Sequence, residues 1–223
     1  MYWKDEGFLL SKNNFDENSI IVDVFTQKHG KYTGIIYGGS SRKQKKNFQI
    51  GNKILVHWKS KGQNRNGYFS SELIKPISPL YFDDKKKTAC ILSSTSILKI
   101  LLPDSQKNEI IYKNFESMIE SLNQDDWIKK YIYWELSLIS DLGYEIDFKQ
   151  NGIFNSIINE FNYSNNKDYK IPKLFNNNVD IKNYSIYIKE ALFFNKNLLM
   201  ENFIIPNKLR FPLFRNILEK YYQ

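Results

Sequence analysis

Several cations lie close together in the stretch RKQKKNF at residues 42–48. A Lys or Arg that contacts a phosphate displaces condensed counterions, which raises affinity for a nucleic acid without reading its sequence. Further cations follow in the next part of the chain and extend the same positive field. The predicted nucleic-acid-binding residues are Arg42, Lys43, Lys45, Lys46, Lys53, Lys59, Lys61 and Arg65.

Aromatic residues are interleaved with these cations, and such rings are candidates to stack on unpaired bases. The candidates are Phe48, Trp58, Tyr68 and Phe69. Aromatic side chains are also common in protein cores, and a period of two places Ile54, Val56 and Trp58 on one face. We therefore expect Trp58 to point inward, and a core position is the alternative for the other three rings.

This chain contains no motif typical of enzymes that hydrolyse esters, peptides or nucleotides. The two histidines, His29 and His57, accompany no Gly-x-Ser-x-Gly nucleophile elbow. The stretch GGSSRK at residues 38–43 lacks the spacing of a phosphate-binding loop and lies between two predicted strands rather than before a helix. We predict that the protein is not an enzyme and has no catalytic residues.

Metal binding has equally few candidate ligands. The chain has one cysteine, Cys90, and two histidines, too few for a Cys/His zinc cluster. The acidic pairs at residues 83–84 and 125–126 are more typical of helix starts than of magnesium sites. We predict no metal and no cofactor. An enzyme that uses magnesium and scattered Asp, Glu and Tyr residues is the alternative.

Positive charge is concentrated in the first third of the chain. The net charge is +8; residues 1–80 hold 13 Lys and Arg against 6 Asp and Glu, whereas residues 81–223 hold 19 against 18. Codon bias in an AT-rich genome is an alternative cause, but it would enrich lysine in both parts alike. The asymmetry therefore favours a polyanion-binding module joined to a nearly neutral one.

Residues 7–74 have the pattern of five short strands. Turn signals separate apolar and β-branched runs at residues 7–11, 19–26, 31–37, 53–59 and 67–74. Asp23 interrupts the second run and is expected to point to solvent. Five short strands with many glycines predict a closed barrel of the oligonucleotide-binding (OB) type, and an SH3-like barrel is the alternative on strand count.

A helical region follows Pro76 and Pro79, where the apolar period lengthens to about three and a half residues. The spacing predicts helices over residues 88–102, 105–122, 127–142, 185–203 and 212–221, with mostly irregular structure over residues 149–184. The predicted fold class is therefore α+β. It consists of a five-stranded OB barrel in residues 1–78 and an all-helical domain in residues 79–223.

The N-terminus and the hydropathy of the chain predict a cytoplasmic protein. Asp5 and Glu6 lie where a signal peptide needs basic residues, and no apolar run approaches the roughly 18 residues of a membrane span. Together with the predicted polyanion surface, these features suggest a nucleoid-associated protein that does not contact a membrane.

Several segments resemble the RecO family of bacterial recombination mediators. They are WKDEGFLLS at residues 3–11, IVDVFTQKHG at 21–30, GGSSRK at 38–43, QIGN at 49–52 before the strand with Trp58, and WELSLISDLGYEIDF at 134–148. The order and spacing of these motifs over residues 1–148 make the combination specific. The opening WKDEG is most similar to alphaproteobacterial members.

The resemblance implies an OB barrel, a helical C-terminal domain and a non-enzymatic role in DNA repair and homologous recombination. Family members bind single- and double-stranded DNA, anneal complementary strands and, with RecR, help to load RecA onto DNA coated by single-stranded DNA-binding protein (SSB). Many members carry a four-cysteine zinc site after the Leu-Gly-Tyr turn, but residues 149–173 contain no cysteine here. The alternative function is a barrel-bearing RNA-binding or ribosome-associated factor.

Family members also bind the acidic C-terminal tail of SSB in a hydrophobic pocket with a basic rim. Such a tail needs an apolar slot for its terminal ring and a cation for its carboxylates. The resemblance and this chemistry together suggest a tail site made of Lys129, Lys130, Tyr131 and Trp134. An ordinary amphipathic helix with solvated lysines is the alternative.

Overall fold

The computed structural model describes residues 2–41, 44, 46–60, 67–144, 160–163, 167–170, 172–175 and 184–223. Its strands are β1 (Tyr2–Asn14), β2 (Ser19–Thr26), β3 (Gly30–Tyr37), β4 (Lys53–Lys59), β5 (Gly67–Lys75), β6 (Glu160–Tyr163) and β7 (Lys167–Lys170). Its α-helices are α1 (Lys85–Leu101), α2 (Glu109–Glu120), α3 (Trp127–Asp141), α4 (Tyr184–Leu199) and α5 (Leu213–Lys220). Within the part of the chain that the structure describes, every helix is too short or too polar to span a lipid bilayer.

Strands β1 to β5 form a closed barrel in the order β1-β2-β3-β5-β4. The N-terminal half of β1 pairs with β4 and the C-terminal half pairs with β2, and this double pairing closes the barrel. A short parallel pairing of β3 with β5, at Gly34 and Gly67, completes the circle. This is the OB arrangement, so the predicted OB barrel is confirmed and the SH3-like alternative is wrong.

Strand β1 is longer than the predicted run at residues 7–11, because polar side chains near its start are satisfied within the barrel. Asp5 is buried and accepts hydrogen bonds from the backbone N–H of Lys28 at 2.7 Å and of Glu6 at 2.9 Å. Its carboxylate also lies 3.0 Å from Nδ1 of His29. The ladder to β4 therefore continues through residues that hydropathy alone does not assign to a strand.

Asp23 does not point freely to solvent, and the prediction that it would is wrong. Its side chain is 14% exposed and its carboxylate lies 3.1 Å from Nζ of Lys99 on α1. The hydroxyls of Ser11 and Thr33, on the two neighbouring strands, each donate to it at 2.5 Å. A buried carboxylate needs such partners, and here it ties three strands to the helix that follows them.

Two side chains fix the start of the helical region. The fully buried Asn52 accepts hydrogen bonds from the backbone N–H of Ile77 at 2.9 Å and of Ser78 at 3.1 Å. Asp84 is the N-cap of α1 and accepts from two backbone N–H groups of the first turn, so the reading of this acidic pair as a helix start is confirmed. Asp126 occupies the N-cap position of α3, so this acidic pair also lies at a helix start, but the Asp126 side chain caps no backbone N–H there.

Contacts divide the chain into two compact units, residues 1–113 with 212–215 and residues 114–211 with 216–223. The second unit is built on α3 and α4, whose buried polar groups bond to one another. Glu135 accepts from the Tyr131 hydroxyl at 2.6 Å and from Nδ2 of Asn195 at 3.1 Å. The division of the chain at residue 78 marks the change from strands to helices and, as a domain boundary, stays a prediction.

The helical region also contains a hairpin that the sequence did not predict. β6 and β7 pair antiparallel, with Glu160 opposite Lys170 and Tyr163 opposite Lys167. It lies within residues 149–184, for which the sequence predicts mostly irregular structure. Four-residue strands are too short for a periodic signal, and their backbone pairing is a tertiary property.

Replacing Asp23 with Asn tests the link between the barrel and α1. Burial raises the pKa of Asp23, but hydrogen bonds from Ser11, Thr33 and Lys99 and the charge of Lys99 outweigh burial and lower this pKa. The ionised form therefore stabilises the fold above about pH 4, and this contribution is lost as pH falls through the folded-state pKa. We expect D23N to reduce the free energy of unfolding in urea by about 1–2 kcal/mol near neutral pH, after allowance for partial exposure. The loss should be smaller at pH values below the folded-state pKa, where Asp23 itself is protonated.

Asp104→Asn is the matched control for this measurement. Asp104 also pairs with a lysine, Lys31, at 3.2 Å, but its side chain is 66% exposed. We expect a loss of at most about 0.5 kcal/mol. Equal losses for the two variants near neutral pH would contradict a special role for Asp23.

Candidate nucleic-acid interface

Barrel closure decides which aromatic residues reach the surface. Trp3, Trp58 and Phe69 are register partners on β1, β4 and β5, and all three lie in the barrel core. The inward direction predicted for Trp58 is confirmed. Phe48 is also a core residue, so Tyr68, at 39% exposure, is the one stacking candidate that remains at the surface.

A second row of register partners lies on the outer face, one residue out of phase with the core row. Tyr2 pairs with Lys59, and Lys59 pairs with Tyr68. The Tyr68 ring stacks on Tyr37 of β3, with ring centroids 5.2 Å apart. These residues and Gln44 line a groove of about 430 Å³. We call it the barrel groove. Tyr2 and Tyr37 are not among the predicted site residues, although strand alternation from Trp3 and Ile36 places both on the outer face.

The structure describes three of the predicted cations. Lys46 and Lys59 are exposed. Lys53 is 18% exposed and its Nζ lies 3.0 Å from Oε2 of Glu6. Because an acid offsets the charge of Lys53, Lys46 and Lys59 are better placed to contact a phosphate. The remaining predicted cations lie outside the described residues: Arg42, Lys43, Lys45, Lys61 and Arg65.

The C-terminal end of the basic stretch is anchored to the barrel. Phe48 is inserted into the core, and its backbone carbonyl accepts from Nζ of Lys12 at 2.6 Å. The carbonyl of Asn47 accepts from Nδ2 of the buried Asn52 at 3.1 Å. These contacts hold the residues next to Lys46 in place, so its charge is presented from a fixed point on the barrel.

A second groove, of about 390 Å³, lies within the second unit, residues 114–211 with 216–223. Its lining includes Lys130, Tyr133 and Trp134 of α3, with Ser117 and Met118 of α2. Nε1 of the buried Trp134 has no hydrogen-bond partner among the described residues. We call this the α3 groove; it combines a ring surface, a donor and an exposed cation.

The other two residues predicted for the tail site, Lys129 and Tyr131, are not part of the lining of the α3 groove. Tyr131 is fully buried, and its hydroxyl donates to Glu135, so it supports the packing of α3 rather than the groove wall. Lys129 places Nζ 5.8 Å from the ring centre of Tyr133. Tyr133 is half-buried, which raises the pKa of its hydroxyl. It is not among the residues predicted for the tail site.

Two family models match the chain in order, Recombination protein O N terminal over residues 1–77 and Recombination protein O C terminal over residues 83–192. This chain belongs to the RecO family. The resemblance identified from the sequence motifs is therefore confirmed. The RecO N-terminal model ends within two residues of the last strand of the barrel, which ends at Lys75.

Curated relatives of this RecO-family chain carry the name DNA repair protein RecO. The protein of Ehrlichia chaffeensis is 36% identical over 158 residues, which cover 70% of this chain and 64% of that protein. Those of Wolbachia from Drosophila simulans and of Ruegeria are 32% and 30% identical, covering 67% and 66% of this chain. The chain thus matches less than two thirds of the length of these relatives, 61–64%.

Lys59 and Lys53 lie at opposite ends of β4, and their different surroundings give a direct test. We expect Lys59→Ala to weaken DNA binding and to reduce the slope of log affinity against log salt by about 0.7 for single strands, because one phosphate contact is lost. Lys53→Ala should leave that slope nearly unchanged, since Glu6 already offsets its charge. Salt titrations of both variants measure this, and equal slopes for the two would contradict the assignment.

Proposed function

We propose that this RecO-family chain is a non-enzymatic mediator of DNA repair and homologous recombination. It binds single- and double-stranded DNA, anneals complementary strands and, with RecR, helps to load RecA onto SSB-coated DNA. The ordered match of both RecO family models to residues 1–77 and 83–192 carries this proposal. The name of the relatives, DNA repair protein RecO, supports it.

The barrel supplies the proposed mechanism of annealing. Two DNA strands repel each other through their phosphates, and cations that contact both strands reduce this repulsion. The basic stretch at residues 42–46, together with Lys59, would provide such contacts, with no bond made or broken. The asymmetry of charge along the chain, 13 cations against 6 anions in residues 1–80, supports the barrel as the DNA-binding unit.

The α3 groove supplies the proposed contact with the acidic C-terminal tail of SSB. Lys130 would pair with tail carboxylates, and the rings of Tyr133 and Trp134 would receive the terminal aromatic side chain. The Trp134 N–H, which has no partner among the described residues, would donate to a tail oxygen. Lys129 and Tyr131 act indirectly here, Lys129 through its contact with Tyr133 and Tyr131 through the packing of α3.

Annealing of complementary oligonucleotides precoated with SSB tests the mechanism. We expect a variant with Arg42, Lys43, Lys45 and Lys46 all changed to Ala to lose most of the annealing rate at moderate salt, because four phosphate contacts contribute orders of magnitude to affinity. The matched control changes four exposed lysines elsewhere, Lys107, Lys113, Lys189 and Lys220, and should anneal as the unaltered protein does. Equal rates for both variants would move the DNA surface away from this stretch.

Annealing by the unaltered protein, together with its affinities for matched DNA and RNA strands, tests the proposed function itself. The RNA-binding alternative would be favoured if the unaltered protein anneals no DNA and binds RNA strands more tightly than matched DNA strands. A preference of this kind indicates that the protein recognises the 2′-hydroxyl, which only RNA carries.

Binding of a fluorescent acidic peptide with a C-terminal Phe tests the α3 groove. We expect Lys130→Glu to weaken this binding about five- to tenfold at low salt, because it places a like charge beside the peptide carboxylates. Lys189→Glu, at an exposed site on α4, makes the same charge change away from the groove and should have little effect. Equal affinities of these two variants for the peptide would contradict the groove as the tail site.

A further inference from the structure

The outer face of the barrel exposes an unusual set of rings. Among the described residues of β1 to β5, the exposed large apolar side chains are Tyr2, Tyr37, Tyr68 and Ile74. The three tyrosines line the same barrel groove. Exposed aromatic surface that is gathered at one place, rather than scattered, is a mark of a binding site.

The tyrosines are arranged as a platform and not as a random cluster. Tyr37 and Tyr68 stack with an interplanar angle of 18°, and Tyr37 remains 67% exposed. The outer face of its ring is therefore free to receive another flat ring. Tyr2 stands at the other side of the groove, where its hydroxyl lies 3.1 Å from Nδ1 of His57.

Charge and hydrogen-bonding groups in the groove indicate what kind of ring would bind. Lys59 lies between Tyr2 and Tyr68 in the strand register, so a cation separates two aromatic groups. Ser71 also lines the groove, and its buried hydroxyl has no hydrogen-bond partner among the described residues. A ligand with flat rings, hydrogen-bonding edges and regularly spaced negative charges matches these features, and a single strand of nucleic acid has all three.

The charges around the platform indicate on which side of it the phosphate backbone of a bound strand would lie. The hydroxyl of Tyr68, as a hydrogen-bond partner, raises the pKa of Tyr37, and the nearby Asp16 carboxylate adds to this effect. Asp16 accepts a hydrogen bond from the backbone N–H of Ser19 at 2.6 Å, and Ser19 is the register partner of Tyr37. Because Asp16 would repel phosphates, the DNA backbone is expected on the Lys59 side of the platform, with bases toward Tyr37.

We propose that Tyr37 and Tyr68 form a stacking platform on which the barrel groove binds unpaired bases of single-stranded DNA. This inference rests on the proposed DNA-binding function and adds a site that distinguishes single strands from duplexes. In a duplex the bases are already stacked on one another, so the platform has nothing to bind. Cations such as Lys46 can contact the phosphates of both single-stranded and duplex DNA, whereas the rings can stack only on the bases of a single strand.

The test measures fluorescence anisotropy of a labelled oligothymidylate, an abasic strand of the same length and a duplex. We expect Y37A/Y68A to bind oligothymidylate at least about tenfold more weakly. Its affinity for the duplex and for the abasic strand should change by less than about twofold, and its salt dependence should not change, because no phosphate contact is removed. Y37F/Y68F should bind as the unaltered protein does, since stacking needs the rings and not the hydroxyls.

Tyr221→Ala is the matched control, because Tyr221 has 38% exposure but lies near the C-terminus in the other unit. Thermal unfolding of every variant verifies that the exposed substitutions leave the fold intact. Oligothymidylate binding by Y37A/Y68A that equals that of the unaltered protein, or equal losses on single strand and duplex, would overturn the platform. Tighter binding of the unaltered protein to a matched oligouridylate would overturn DNA as its occupant.

The outcomes for the two proposals are distinct. An unaltered protein that binds neither single-stranded nor duplex DNA overturns the proposed function. An unaltered protein that binds both through its cations, with no preference for oligothymidylate over the abasic strand, overturns the platform alone.

Discussion

Closure of the barrel through β1 is the constraint on which the rest of the structure depends. One strand pairs with β4 at its start and with β2 at its end, so the sheet has no free edge there and each strand has an inside and an outside. The inside receives Trp3, Trp58 and Phe69. The same register then forces Tyr2, Lys59 and Tyr68 into a row outside, where a ligand can reach them.

Close packing of the core rings leaves no room for a side chain at Gly34 or Gly67. A Cβ atom on Gly67 would lie 2.4 Å from Trp58, and one on Gly34 would lie 2.6 Å from Phe69. These two glycines form the parallel junction of β3 and β5, so the large core rings and the closure of the barrel require one another. Tyr68 directly follows Gly67, and it lies opposite Ile35, two residues before Tyr37. The junction therefore brings the rings of Tyr37 and Tyr68 together on the outer face.

Charge acts at two levels in this protein. The excess of cations in the first 80 residues sets a field that any polyanion would experience. Local ion pairs then decide which cations can present their charge to a polyanion. Lys53 pairs with Glu6 and Lys99 pairs with Asp23, whereas Lys59 lines the barrel groove. Lys53 and Lys59 are equivalent in strand alternation, and only their neighbours across the sheet distinguish them.

The barrel, the helices and the RecO family were all predictable from the sequence by itself, because local period, turn residues and ordered motifs are properties of the chain. Alternation along β4 was enough to predict that Trp58 points inward. The partners of Asp23, the burial of Tyr131 and the meeting of Tyr37 with Tyr68 were not predictable in this way. Tyr37 and Tyr68 stand on strands that do not follow each other in the chain, and only barrel closure makes those strands neighbours. Contacts between residues distant in sequence are decided by tertiary packing, since no local pattern encodes which strand will lie alongside another.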